Sequence, residues 1–163
     1  MRILGVDPGY ERLGIAVLEK EKGQIKEGVV FSECFKTSPK LPFPSRLFLV
    51  GEEINRVIKK YKPEILSIES LFLNTNQKTA MRVAETRGTI LYLAKKEGLK
   101  IFEAAPPEIK TAITGYGRAD KMQVIKMVKM LVDFGKNREK TGKESDDEID
   151  AVAAALTAFA KVK

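Results

Sequence analysis

Six acids in this chain stand where acids are out of place or crowded. Asp7 directly follows the apolar run Ile3, Leu4, Gly5 and Val6, and Glu69 closes another, around Ile65, Leu66 and Ile68. The stretch SDDEIDAVAAAL over residues 145–156 packs Asp146, Asp147, Glu148 and Asp150 into one helical start. Asp147 and Asp150, three residues apart, share a helix face. If one fold gathers such carboxylates, their repulsion is severe: two like charges about 4 Å apart cost about 4 kcal/mol at an effective dielectric near 20. The cluster then either raises its own pKa values or holds cations.

The chemistry left open is narrow. The chain has no histidine, so neither a Ser-His-Asp triad nor a histidine-ligated zinc site can be built. Cys34 is the only cysteine and reads as a small buried apolar residue within a strand. Oxygen-only ligands select Mg²⁺ or Mn²⁺. Two such ions about 3.5–4 Å apart activate a water and stabilise the leaving oxygen of a phosphodiester. The competing reading is structural: acids in a first helical turn are stabilised by the macrodipole by roughly 0.3–1 kcal/mol each, so Asp146 to Asp150 also fit a well-capped helix start.

Charge points the same way as the acids' chemistry. A formal charge of +7 favours a polyanionic partner such as nucleic acid, although a surface rich in Lys and Glu also occurs in heat-adapted proteins without that role. Basic side chains would hold phosphates while the carboxylates carry the metal. With 163 residues the chain fits one domain, 1–163, with a core that needs no disulfide. No apolar stretch approaches 20 residues and no secretory leader is visible, so a cytosolic (cytoplasmic) protein with no membrane association is expected.

The elements that must position these acids follow from periodicity. Residues 2–7, 13–19 and 27–35 read as three strands of a meander, separated by turns at Pro8-Gly9 and Lys22-Gly23. Apolar residues at helical spacing predict an amphipathic helix over 45–61, stopped by Pro63, before a fourth strand ending in Glu69. A loop over 70–76 precedes a long helix over 77–97, in which Gly88 marks a bend or a close backbone approach. A fifth strand over 100–104, helical stretches around 108–113 and 120–132 and a loop over 135–144 lead to the last helix. Ser145 with Glu148 forms a capping box there. Asp147 and Asp150 lie on a face continuing into Ala151 and Ala154, while Ile149, Val152, Ala153 and Leu156 make the core stripe. Strands first, then strand and helix alternating, is an α/β mixed sheet with helices packed on it.

The stretch ILGVDPGYERLG, with SIES, IKTAITGYGRADKMQV and DDEIDAVAAAL in that order, resembles the RuvC family of crossover junction endodeoxyribonucleases, the Holliday junction resolvases, over residues 1–159. The resemblance implies a ribonuclease H-like fold, with a mixed five-stranded sheet and helices on both faces. It also implies a homodimer, built on the helix over 77–97, that resolves four-way junction DNA by two-metal-ion hydrolysis. Mg²⁺, two ions per subunit, is the implied cofactor, with Mn²⁺ as substitute. The family's catalytic, metal-holding carboxylates fall on Asp7, Glu69, Asp147 and Asp150, with Asp146 the alternative third member. Lys110 and Lys121 match basic residues used near the scissile phosphate; without the resemblance they read as solvated helix-face lysines. Phe72 falls where the family places an aromatic near the crossover, or else in the core. Asn74, Asn76, Gln77, Lys78 and Arg82 supply polar DNA contacts from the same region, and the loop over 136–143 is a second phosphate contact or a solvated loop. RuvA and RuvB are the implied branch-migration partners.

Three rival readings remain at this point. Another ribonuclease H-like nuclease would act on RNA or RNA:DNA hybrids, and a non-catalytic module would bind junctions without cutting. An actin-like ATPase, whose phosphate loops open in the same way, needs two such domains and fails on size.

Overall fold

The computed structural model describes residues 1–71, 77–135, 139–140 and 145–162, with residues 77–78 and 139–140 described as backbone only. Five main strands, β1 (Arg2–Asp7), β2 (Arg12–Glu19), β3 (Gly28–Lys36), β4 (Ile65–Glu69) and β5 (Lys100–Ala104), lie in the order β5-β4-β1-β2-β3. The first three form the expected antiparallel meander, and β4 and β5 add in parallel on the other side of β1. The sheet is therefore mixed. Within the stretch expected to be a loop, a two-residue strand β6 (Glu139–Lys140) pairs with Phe31 and Ser32 at the β3 edge.

Helices cover both faces. On one, α1 (Phe43–Tyr61) and α2 (Gln77–Lys96) pack with Leu4, Val6, Leu66 and Ile68. On the other, α3 (Pro106–Thr114), α4 (Lys121–Leu131) and α5 (Asp146–Lys161) pack with Ile3, Ala16, Leu18 and Ile65. Alternation along each strand assigns the sides: even residues of β1 and β4 face α1, and odd residues face α5.

The helix α5 lies almost on the sheet backbone. A Cβ on Gly5 would stand 2.0 Å from the Ala151 carbonyl oxygen, and one on Gly14 would stand 2.0 Å from that of Asp147. Only glycine admits this approach. Nearby, the Ser67 hydroxyl donates to the Ala154 carbonyl at 2.6 Å. The alanines let the helix be buried nearly all round, with Ala151, Ala154, Ala155 and Ala158 inside as well as the expected stripe.

Three local expectations are corrected. Ser145 does accept from the Glu148 N–H at 3.3 Å, but the Glu148 carboxylate, 2% exposed, accepts from Ser32 Oγ at 2.5 Å instead of reaching back to the cap. Only half of the capping box forms, because α5 is pressed on the sheet and carries that side chain inward. Gly88 sits within the continuous helix α2, where a side chain would meet nothing within 4 Å in this chain. Cys34, half-buried, is not a plain core residue, as its surroundings below show.

Candidate active site

Strand parity brings the acids together. Counting outward from Ile3 and Gly5, the next residue on the α5 side of β1 is Asp7; counting from Ile65 and Ser67, the next on β4 is Glu69. These strands are parallel neighbours in register, Val6 beside Ile68, so both carboxylates leave the sheet at one end. The first turn of α5 supplies Asp147 and Asp150 over that end, its close seat secured by Gly14, which pairs with Asp7 across the β1–β2 ladder. The four predicted carboxylates thus share one place, although residues as far apart as Asp7 and Asp150 contribute them.

The site is electrostatically strained. Asp7 is pushed up to about 7, first by burial and then by Asp150, Glu69 and Asp147, with Lys121 offsetting part of the rise. Burial raises Glu69 as well, reinforced by Asp150 and opposed by Lys110. Asp150 is raised by burial against the pull of Lys121. Asp147 goes the other way: burial would raise it, but donation from Arg12 and Cys34 outweighs burial and holds it below the usual carboxylate range.

Those partners are specific. Arg12 Nε and Nη2 both donate to Asp147 Oδ2, at 2.9 and 2.5 Å, and Cys34 Sγ lies 3.4 Å from the same oxygen. Lys121 Nζ stands 3.0 Å from Asp146 Oδ2 and 3.7 Å from Asp150 Oδ2. Asp146, with its side chain 62% exposed, turns toward this lysine, whereas Asp147 is among the acids that act on Asp7. Asp147 therefore acts on Asp7 electrostatically, while Asp146 is paired with Lys121.

A cavity of about 280 Å³ opens beside the carboxylates, where Glu69 and Asp150 meet Lys110 and Lys121 over the apolar Ile109 and Val124. Both predicted lysines thus border the acids. Among the described residues, no three acids already stand close enough to enclose an ion; the basic side chains of Arg12 and Lys121 supply the countercharge. The donor chemistry nevertheless suits a hard divalent cation, being all oxygen, with mutual repulsion that a double charge would relieve.

Of the predicted DNA-contacting residues, only Arg82 has a described side chain. Phe72, Asn74 and Asn76 lie outside the described residues, as do the side chains of Gln77 and Lys78 and all of the loop over 136–143 except the backbone of β6. Arg82 is described: its guanidinium lies over the rings of Phe43, at 5.0 Å, and Tyr10, at 5.8 Å. It ties α2 to the turn that follows Asp7.

Sequence reasoning missed Arg12, Cys34 and Arg87. From α2, Arg87 donates through Nε to the Glu69 carbonyl at 3.0 Å and pairs with Glu103, bracing the end of β4. Strand parity was a usable signal for Arg12, which falls on the α5 side with Gly14 and Ala16. None marked Arg87, whose partners come from two strands.

Comparison with known proteins matches residues 3–158 to the family model described as crossover junction endodeoxyribonuclease RuvC. A relative of that name from Thermosipho melanesiensis is 43% identical over 155 residues, covering 95% of this chain and 94% of its own. One from Petrotoga mobilis is 41% identical over 159 residues, covering 96% and 91%. Among solved structures, Thermus thermophilus RuvC in complex with a Holliday junction substrate superposes with a TM-score of 0.84 at 29% identity, covering 98% of this chain and 93% of that one. No described helix is long and apolar enough to cross a membrane.

Proposed function

The chain belongs to the RuvC family of crossover junction endodeoxyribonucleases, and from that premise we propose that Asp7, Glu69, Asp147 and Asp150 hold two Mg²⁺ ions per subunit with which it cuts four-way DNA junctions, Mn²⁺ serving in their place. The family's activity is metal-dependent phosphodiester hydrolysis in DNA recombination and repair. What supports these residue roles is the crowding of buried carboxylates that raises Asp7 to about 7. Carboxylates crowded and raised in this way mark functional sites, and a divalent cation seated among them would relieve their mutual repulsion.

When bound, such a pair of ions generates a nucleophile from water at neutral pH and stabilises the leaving oxygen. The chain's own residues do the rest. Asp7 and Glu69, fixed at strand ends, form the rigid half of the site, while Asp147 and Asp150 ride on a helix seated by Gly5 and Gly14. Lys110 and Lys121, bordering the cavity, grip the scissile phosphate and balance charge there. To hold the metals, Asp147 and Asp150 would have to give up their pairing with Arg12 and Lys121, which would leave those cations for DNA.

Two like-polarity cuts across an approximately two-fold junction call for two such sites related by a two-fold axis. The surface proposed to meet a second copy is α2, on which Met81 and Tyr92 are exposed. Homologues of RuvA and RuvB are the expected companions of the reaction.

The test is cleavage of a synthetic four-way junction, its component duplexes and an RNA:DNA hybrid in Mg²⁺. Paired, symmetric nicks confined to the junction are expected. Preference for the hybrid would point to another ribonuclease H-like nuclease, and binding without cleavage in any divalent ion to a junction-binding module.

A further inference from the structure

The connection between α3 and α4, residues 115–120, carries an aromatic that the site described so far does not use. Tyr116 is 59% exposed, and Arg118 two residues on is exposed too. A large aromatic on a connecting loop is usually either buried or poorly held. Here the loop is tightly held.

Its backbone is fixed at both ends. Gly115 takes φ 76°, a left-handed conformation that ends α3, and its N–H donates to the Thr111 carbonyl. The Thr114 hydroxyl lies 2.8 Å from the Lys110 carbonyl and 3.0 Å from that of Tyr116, and accepts from the Tyr116 N–H at 3.1 Å. The Ala119 N–H donates to the Tyr116 carbonyl at 3.0 Å, with Ala119 itself buried. At the far end, Asp120 and Gln123 exchange side-chain and backbone bonds of 2.8 and 2.9 Å, completing a reciprocal cap on α4. The side chains of Tyr116 and Arg118 are exposed on this held backbone and make none of these bonds.

The location gives the ring its meaning. The loop joins the helix that carries Lys110 to the helix that begins with Lys121, and both lysines border the cavity beside Glu69 and Asp150. An exposed aromatic on a rigid support, two residues from the exposed Arg118 and on the link between two helices whose lysines line the cavity, is suited to stack on a base of a strand whose phosphates are held alongside. Because its support is preorganised, the ring gives up little conformational freedom on contact.

We propose that Tyr116 stacks on a nucleobase flanking the scissile phosphate of the strand to be cut, with Arg118 against a neighbouring phosphate. This contact rests on the junction-cutting function given above. It positions the strand over the carboxylates, and it favours junctions in which a base beside the incision is unstacked.

Single-turnover cleavage tests it, using the full chain and a four-way junction whose incision points have been mapped with the wild-type protein. Matched junctions carry an abasic site at each nucleotide flanking the cut. Tyr116→Ala is expected to lower the rate on the intact junction about tenfold, the scale of one lost base–aromatic stack. Tyr116→Phe, which keeps the π-face, restores it. On the junction lacking the stacked base, wild type and Tyr116→Ala are expected to cut at equal rates. Equal rates of the two proteins on the intact junction would overturn the proposal, as would an equal loss by Tyr116→Ala on every abasic junction, since that marks a structural role. A wild-type protein that leaves the junction uncut would overturn the parent function and this contact together.

Discussion

Gly14 and Asp147 are in backbone contact: a Cβ on Gly14 would stand 2.0 Å from the Asp147 carbonyl oxygen. The position of the helix acids over the strand acids is thus fixed by the absence of a single methyl group. Gly14→Ala must lift the first turn of α5 from β2, with overpacking of about 1–3 kcal/mol. A lowered melting temperature is expected, together with a cleavage rate that stays low even at temperatures where the variant is fully folded.

The strain on Asp7 makes metal-free stability depend on pH. With its pKa raised from 3.8 to about 7, the folded protein keeps a proton on Asp7 that the unfolded chain has lost, so this group's contribution falls as pH rises from about 4 to about 7. Glu69 and Asp150, also raised, act in the same direction; Asp147, lowered, acts in the opposite one. Asp7→Asn should therefore stabilise the metal-free protein at pH 8, by on the order of a few kcal/mol, and leave it unchanged below pH 4. Thermal unfolding in EDTA across that range reads the difference directly.

The same substitution separates binding from chemistry. On the proposed role of Asp7 as a holder of metal rather than DNA, Asp7→Asn is expected to abolish cleavage while junction affinity stays within a few-fold of wild type. Gel-shift and cleavage assays on one preparation would show it. Loss of both would mark Asp7 as a structural acid.

Lys110 and Lys121 border the cavity from two helices and act on different carboxylates, Glu69 and Asp150. If these lysines hold the reacting phosphate as proposed, replacing either with Ala should lower the single-turnover rate by about a hundredfold or more. Affinity should drop far less if each is one of many phosphate contacts.

Arg87 holds the end of β4 through the Glu69 carbonyl. Arg87→Met is expected to raise the Mg²⁺ concentration needed for half-maximal cleavage while leaving junction binding in EDTA unchanged. A fall in junction binding of the same size would show that Arg87 contacts DNA instead.

Much of this site could be read from the chain alone because its acids obey local rules. Asp7 and Glu69 end apolar strands, and the three-residue offset of Asp147 and Asp150 is a property of any helix. The strand and helix bounds follow from hydrophobic period and from Pro63, Gly98 and the Ser145 cap. What stayed hidden depends on packing between distant segments. Glu148 abandons its cap for Ser32, 116 residues away in sequence, and Cys34 meets Asp147 across 113. Arg82 lies over two aromatic rings that only the tertiary fold assembles.

The most direct measurement is a crystal of the protein soaked in manganese, read by anomalous scattering. Two peaks bounded by oxygens of Asp7, Glu69, Asp147 and Asp150, with the Arg12 and Lys121 pairings opened, are the expected result. Saturating manganese with no peak among those carboxylates, or an ion held by a different set of acids, would contradict the account.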